Sequence, residues 1–305
     1  MVSIITKRIK EHDYLYLVKS VREKGKVVQK TIKYVGKKRP ISKHEFKCME
    51  LSYSGKDWIL NKFSDELSYK DHTESNKASK DRTDYLSGLD DVSKQKERER
   101  FLSSFISNSN ALEGSTLTYK DTFNYLFNDT TPKGYSKKEL FMADNLLKAW
   151  EFLEKNCSRI PNHNDLKNLH RLVNTNIETE ETLGKYKKVQ NYMGDNYTSS
   201  FLFVEEKMDK LIKWINQAFK KVDDFEVAFQ SHAQFELIHP FVDGNGRVGR
   251  LLLNWLLMYK HLEPLAIPIR KRSEYLSALE NAQKGKVEAI CRFCFNEYLH
   301  QYSFV

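Results

Sequence analysis

A proline and two glycines interrupt the chain at a point where the flanking sequence on both sides is patterned as helix. Residues 225–238 place Phe225, Ala228, Phe229, His232 and Phe235 on one helical face running into Ile238. Helical spacing resumes near Asn245, with Val248, Leu252, Trp255 and Leu256 on the buried side. Between them lies His239-Pro-Phe-Val-Asp-Gly-Asn-Gly, which cannot be continuous helix because Pro240, Gly244 and Gly246 break it. The chain must therefore fold here as two helices joined by a glycine-rich loop that opens directly into the second helix.

Such a loop has a chemistry. Unpaired N–H groups at a helix start, with glycines permitting close approach, make an anion site. Arg247 and Arg250 are three apart and share a helical face, and two guanidinium forks suit a polyphosphate. Asp243 at the loop's edge is a natural ligand for Mg²⁺, the companion of a nucleoside triphosphate. His239 can take a proton from an attacking hydroxyl near neutral pH. Singly, each residue has an ordinary structural reading. Together, in one short stretch, they point to nucleotide chemistry.

The rest of the chain sets this segment in a mainly α fold. Residues 13–36 read as a β-hairpin, rich in Val, Tyr, Ile and Thr about a turn at Lys24-Gly25. A helix is expected within 46–65, and the polar stretch 66–92 reads as a linker. From about residue 93 onward the periodicity is helical, broken at 184–204, where β-type residues around Gly194-Asp195 suggest an inserted hairpin. The expected units are a basic β-hairpin module (1–45), a helix and linker (46–92), a helical region (93–125) and a helical core (126–305).

Net charge is +9, which would suggest a nucleic-acid partner, but its distribution matters more. Residues 1–45 hold thirteen Lys or Arg against four Asp or Glu, and the remainder holds 37 of each sign. The basic excess belongs to the N-terminal module, whose ordinary reading is a solvated face. No apolar run reaches the roughly eighteen residues a membrane span needs, and no secretory signal is visible. Cys291 and Cys294 form a CxxC inside a helical pattern and read as core; a reducing cytoplasm fits four sparse cysteines.

His239-Pro-Phe-Val-Asp-Gly-Asn-Gly-Arg-Val-Gly-Arg250 resembles the signature of the Fic family, HPFx(D/E)GNGRxxR, with every defined position present. Ala228, His232, Phe235 and Ile238 extend the likeness upstream, and it covers about residues 95–305. The resemblance implies a protein adenylyltransferase with a Fic-type helical core. His239 would deprotonate a Ser, Thr or Tyr hydroxyl that attacks the α-phosphorus of ATP. Asp243 would hold Mg²⁺; Asn245 and the Gly244 and Gly246 amides would cradle the α- and β-phosphates; Arg247 and Arg250 would take the β- and γ-phosphates. Pro240 and Phe241 would fix the loop. A related phosphorylating branch carries Lys at the position of Gly246, so Gly favours AMP transfer. Tyr275 matches a segment near the adenine pocket.

Upstream, Ser109-Asn-Ala-Leu-Glu113-Gly114 resembles the family's inhibitory motif, (S/T)xxxE(G/N). It implies a self-inhibited class in which Glu113 faces Arg250. The segment 184–204 matches the flap that registers a protein target, although Lys187 stands where the family usually has Arg. Relatives commonly dimerise, and in some the same glutamate removes AMP, so a deAMPylating enzyme is an alternative. A nucleic-acid-associated regulator acting through residues 1–45 and a delivered effector toxin are the others. The β-hairpin also resembles N-terminal segments of some transposase-like proteins.

Overall fold

The computed structural model describes residues 2–60, 63–192 and 196–303. Its N-terminal module is a sheet of three antiparallel strands in sequence order, β1 (Val2–Ile9), β2 (His12–Glu23) and β3 (Lys26–Lys37). The expected hairpin is β2–β3, closing at Glu23↔Lys26 through Lys24 (φ 47) and Gly25 (φ 82). Two successive positive φ values are what the twist of a two-residue hairpin turn requires. The additional strand β1 was not expected; it pairs along β2 from Val2↔Lys19 to Ile9↔His12.

One face of the sheet packs on α1 (Lys43–Ser54), joining Leu15, Leu17 and Val35 to Phe46, Met49 and Phe203. Ser42 caps α1 and Gly55 ends it with φ 74, so the helix stops well short of residue 65. A buried polar knot then ties module to body. Asp57 takes Lys207 Nζ at 2.7 Å on one oxygen, and Ser52 and Ser199 hydroxyls at 2.7 and 2.6 Å on the other.

Residues 66–92 are not a linker. They form α2 (Tyr69–Ser87), begun by a reciprocal capping box between Ser68 and Asp71. Its buried face is His72, Ser75, Ala78 and Ser79, small or polar side chains with no aliphatic stripe. What holds it is ionic: Asp71 pairs with both Arg292 guanidinium nitrogens at 2.9 and 3.0 Å. Ahead of it, the fully buried Glu226 carboxylate receives Glu66 N, Leu67 N and the His72 ring.

The body is helical: α3 (Asp91–Leu112), α4 (Tyr119–Phe127), α5 (Lys137–Asn156), α6 (His163–Asn174), α7 (Val204–Ala218), α8 (Asp224–Ile238), α9 (Asn245–Tyr259), α10 (Arg272–Gln283) and α11 (Glu288–Tyr302), with a 3₁₀ turn at Ile269–Lys271. Every residue of α8 from Phe225 to Ile238 is buried, so the other helices surround it. Cys291 and Cys294 lie wholly inside this core and burial raises both thiols, as expected of packing residues. None of the described helices is long and apolar enough to cross a membrane.

Candidate active site

α8 ends at His239, whose backbone is left-handed (φ 51, ψ 61) while its N–H still reaches Phe235 O at 2.9 Å. That conformation costs roughly 1–3 kcal/mol for a non-glycine residue and needs firm surroundings. Pro240 explains the break, because a residue before proline is disfavoured in the helical region. His239 Nδ1 sits 3.3 Å from Glu236 O, and a carbonyl only accepts, so Nδ1 carries the proton. Nε2 is left with its lone pair, and among the described residues nothing hydrogen-bonds to it. Burial, then the charge of Lys187, push the His239 pKa down to about 4. The ring is therefore neutral at pH 7 and able to accept a proton.

The loop beyond it is clasped by Asn245, whose Oδ1 accepts from Phe241 N at 2.8 Å and whose Nδ2 donates to Phe241 O at 2.9 Å. Both polar atoms of the Asn245 side chain are thus committed to the loop, and its backbone N–H is what it has left to offer an anion. Phe241 and Pro240 are buried, and Phe241 stacks on His170 at 4.0 Å. Gly244 (φ 70) opens α9 with no side-chain cap, leaving the first-turn amides available. The exposed Asp243 carboxylate accepts Gly244 N with Oδ1 at 2.7 Å, and among the described residues no hydrogen bond reaches its other oxygen, which could take a cation.

Both arginines lie below this opening. Arg247, 3 % exposed, donates to Asn174 Oδ1 at 2.9 Å, and its Nε is buried without a partner among the described residues. Arg250, 2 % exposed, donates through Nε to Ser109 Oγ, and through Nη2 to Ser109 O and Glu113 Oε1, each at 2.8 Å. Glu113 and Ser109, from the end of α3, are thus brought to the loop across 137 and 141 residues of sequence separation, respectively. A Cβ on Gly246 would collide with Glu113 Oε1, so the carboxylate rests directly on the first turn of α9. Burial alone would raise the Glu113 pKa; Arg250, then Arg247, hold it below the usual range. A carboxylate sits against the helix start where an anion is favoured. With an uncapped helix, an orphaned guanidinium nitrogen and a free carboxylate oxygen at Asp243, the residues fit a polyphosphate with its divalent cation.

Tyr275 does not line this opening. It is 2 % exposed, and its hydroxyl is 2.8 Å from His232 Nε2, with the rings stacked at 5.9 Å. It packs behind Arg250 as a core tyrosine. Lys187 is buried beneath the loop: its N–H reaches Pro240 O at 2.8 Å and its Nζ reaches Asn191 Oδ1 at 2.6 Å. Asn191 in turn donates to Phe241 O at 2.7 Å, so 184–204 braces the back of the loop. Among its described residues this segment is irregular, with only Asn196 in a bridge. The expected turn at Gly194-Asp195 lies outside the described residues.

Two contributors escaped the sequence reading. His170 accepts Gly184 N at 3.0 Å and donates to Asp243 O at 3.1 Å, and Asn174, one turn on, holds Arg247. Their four-residue spacing on an otherwise amphipathic helix, each with no exposure, was the available signal.

Residues 160–257 match the Fic/DOC family, a stretch that runs from the start of α6 through most of α9. That stretch is similar to a Fic domain. Residues 2–48, the sheet and half of α1, match the IS1634 family transposase N-terminal domain. Protein adenylyltransferase fic-1 of Caenorhabditis elegans is 31% identical over 190 residues, 60% of this chain and 37% of that protein. Protein adenylyltransferase Fic of Nematostella vectensis is 29% identical over 192 residues, 62% of this chain and 45% of that protein. The chain thus spans less than half the length of these curated relatives. The helical arrangement agrees with solved Fic folds. A Fic domain containing signaling protein from Bacteroides thetaiotaomicron superposes with a TM-score of 0.68 at 23% identity, over 76% of this chain and 95% of that one. Fic-1 from C. elegans superposes with 0.66 at 23%, over 77% and 70%.

Proposed function

We propose that this chain is a protein adenylyltransferase held in check by its own Glu113. The observation that carries the reading is the arrangement of a neutral imidazole with a free Nε2 beside an uncapped helix start backed by two buried arginines. The target's Ser, Thr or Tyr hydroxyl gives its proton to His239 Nε2. Its oxygen bonds to the α-phosphorus of ATP, and the bond to the β-phosphate oxygen breaks, releasing pyrophosphate. The α9 amides, Arg247 and Arg250 bear the phosphate charge. Asp243 would hold Mg²⁺, which neutralises the polyphosphate when bound. Catalysis then rests on positioning and charge stabilisation.

Glu113 is the brake in this reading. While its carboxylate occupies Arg250 and rests on Gly246, a γ-phosphate meets a like charge and a guanidinium already in use. Its release requires the end of α3 to withdraw. The target segment docks along 184–204, where Val189, Tyr192 and Tyr197 are exposed. Four free cysteines support a reducing compartment as the setting. The test is mass spectrometry of the Glu113→Gly protein after incubation with ATP and Mg²⁺. A gain of one AMP that disappears in the additional His239→Ala variant is expected. An unmodified protein together with an unmodified cell lysate would reject the transferase.

A further inference from the structure

The basic N-terminal sheet has no part in the transfer chemistry, and its shape is specific. From Val18 toward the turn the packed face runs out, and β2 and β3 continue as a two-stranded ribbon. All of Arg22 to Thr31 is exposed, with Val27 at 70 % exposure. Ser20↔Gln29, Val21↔Val28 and Arg22↔Val27 keep the ladder in register to the tip, so the projection is regular structure and not a loose loop. With Glu23↔Lys26 these make four pairs beyond β1, which at roughly 3.3 Å each give an arm about 13 Å long.

Its charge is one-sided. Lys19, Arg22, Lys24, Lys26 and Lys30 face a single acid, Glu23, which pairs with Lys30. Among the described residues Arg22, Lys24 and Lys26 have no ion-pair partner. At the root of the ribbon the open face carries Tyr14, Tyr16 and Tyr34, mutually packed at 6.0 and 5.4 Å, with Lys7 over Tyr16 at 4.8 Å. The opposite face is committed to the body: Lys19 lies over Tyr53, and Lys33 over Phe203 near Glu206. One face and the tip are therefore free to meet a partner while the other anchors the arm.

We propose that this ribbon is a docking arm for duplex DNA, entering the major groove with its cations against the flanking phosphates. The groove, about 12 Å wide, admits a two-stranded β-ribbon, whereas a flat acidic protein surface would leave the exposed Val27 and Val28 edge uncovered. A charge excess confined to this module, on a body that is electrically balanced, is the pattern a polyanion selects. Single-stranded nucleic acid would need open ring faces; here the three tyrosines pack on one another.

The arm is joined to the transfer site. His44 in α1 lies tilted against Tyr192 at 4.6 Å and stacks on Tyr197 at 4.8 Å, so one ring touches two residues of the segment 184–204. A duplex held by the ribbon stands at a fixed place relative to the surface where a protein target would lie.

The test is fluorescence anisotropy of the full chain with a labelled duplex of roughly 20 base pairs, two helical turns, over a salt series. Binding should fall with salt with a log–log slope of about −3 to −5, as for four or five phosphates. Arg22→Glu/Lys24→Glu/Lys26→Glu, with an unchanged thermal midpoint, should weaken it by at least about tenfold. No binding at low salt, equal binding by the variant, or equal affinity for the single strand or for poly-glutamate would overturn the proposal. No arm of this experiment uses ATP, so its outcome is independent of whether the chain transfers AMP.

Discussion

Glu113 and Arg250 meet at 2.8 Å between the end of α3 and the first turns of α9, and Ser109 takes two further donors of the same guanidinium. One helix end thus supplies three acceptors to an arginine that is 2 % exposed. Charge-assisted bonds of this kind contribute roughly 1.5–3 kcal/mol each when desolvated. Glu113→Gln keeps the volume and removes the charge. The expected result is ATP binding tightened by about tenfold, near 1.4 kcal/mol, in isothermal titration. Affinity equal to that of the unaltered protein would dispose of Glu113 as a brake.

Gly246 lies under the Glu113 carboxylate, where a methyl group has no room. Gly246→Ala should destabilise the protein by about 1–3 kcal/mol in denaturant unfolding, the usual range for overpacking. In the Glu113→Gly background the same change should be nearly neutral. Equal costs in both backgrounds would show that the crowding comes from elsewhere.

The His239 pKa, depressed to about 4, has a signed consequence for stability. An unfolded histidine titrates near 6.5, so the unfolded chain binds the extra proton first as pH falls. The neutral ring's contribution is present in full above about pH 6.5 and is lost as pH drops toward about 4. His239→Gln should therefore lose less stability than the parent between those values, measured as unfolding midpoints at successive pH. Transfer by the Glu113→Gly protein should likewise lack an acid limb near 6.5; an inflection there would mean an ordinary, exposed imidazole.

His170 joins Gly184 N to Asp243 O and stacks under Phe241. His170→Ala leaves a cavity and two unpaired backbone groups, and should cost about 3–5 kcal/mol. Because Asp243 would lose its support, the Glu113→Gly/His170→Ala protein should need several-fold more Mg²⁺ for half-maximal labelling. A stability loss with unchanged Mg²⁺ dependence would restrict His170 to packing.

The loop between α8 and α9 was readable because its constraints are local: proline and glycine stop helices wherever they fall, and the residues between them had to form the opening. Glu113 was readable only through resemblance, since nothing local shows that it lies beside Arg250. α2 was missed for a physical reason. Its buried side is Ser75, Ala78 and Ser79, and its anchor, Arg292 on Asp71, spans 221 residues, so no periodicity advertises it. Ser68 and Asp71 were nevertheless a capping box in plain sight. Strand β1 escaped because TKRIK looks solvated until β2 supplies its partner. Tyr275 was given to the nucleotide by analogy, and burial against His232 moved it to the core.

The imidazole of His44 has a practical corollary. Anyone trimming this protein to its helical half, cutting near residue 60 to obtain a smaller specimen, would remove the ring that Tyr192 and Tyr197 rest on, along with the Asp57 partner of Lys207. The fragment would keep His239, Arg247 and Arg250 yet lose the splint beneath the segment 184–204. Measurements on such a fragment would describe a differently braced loop.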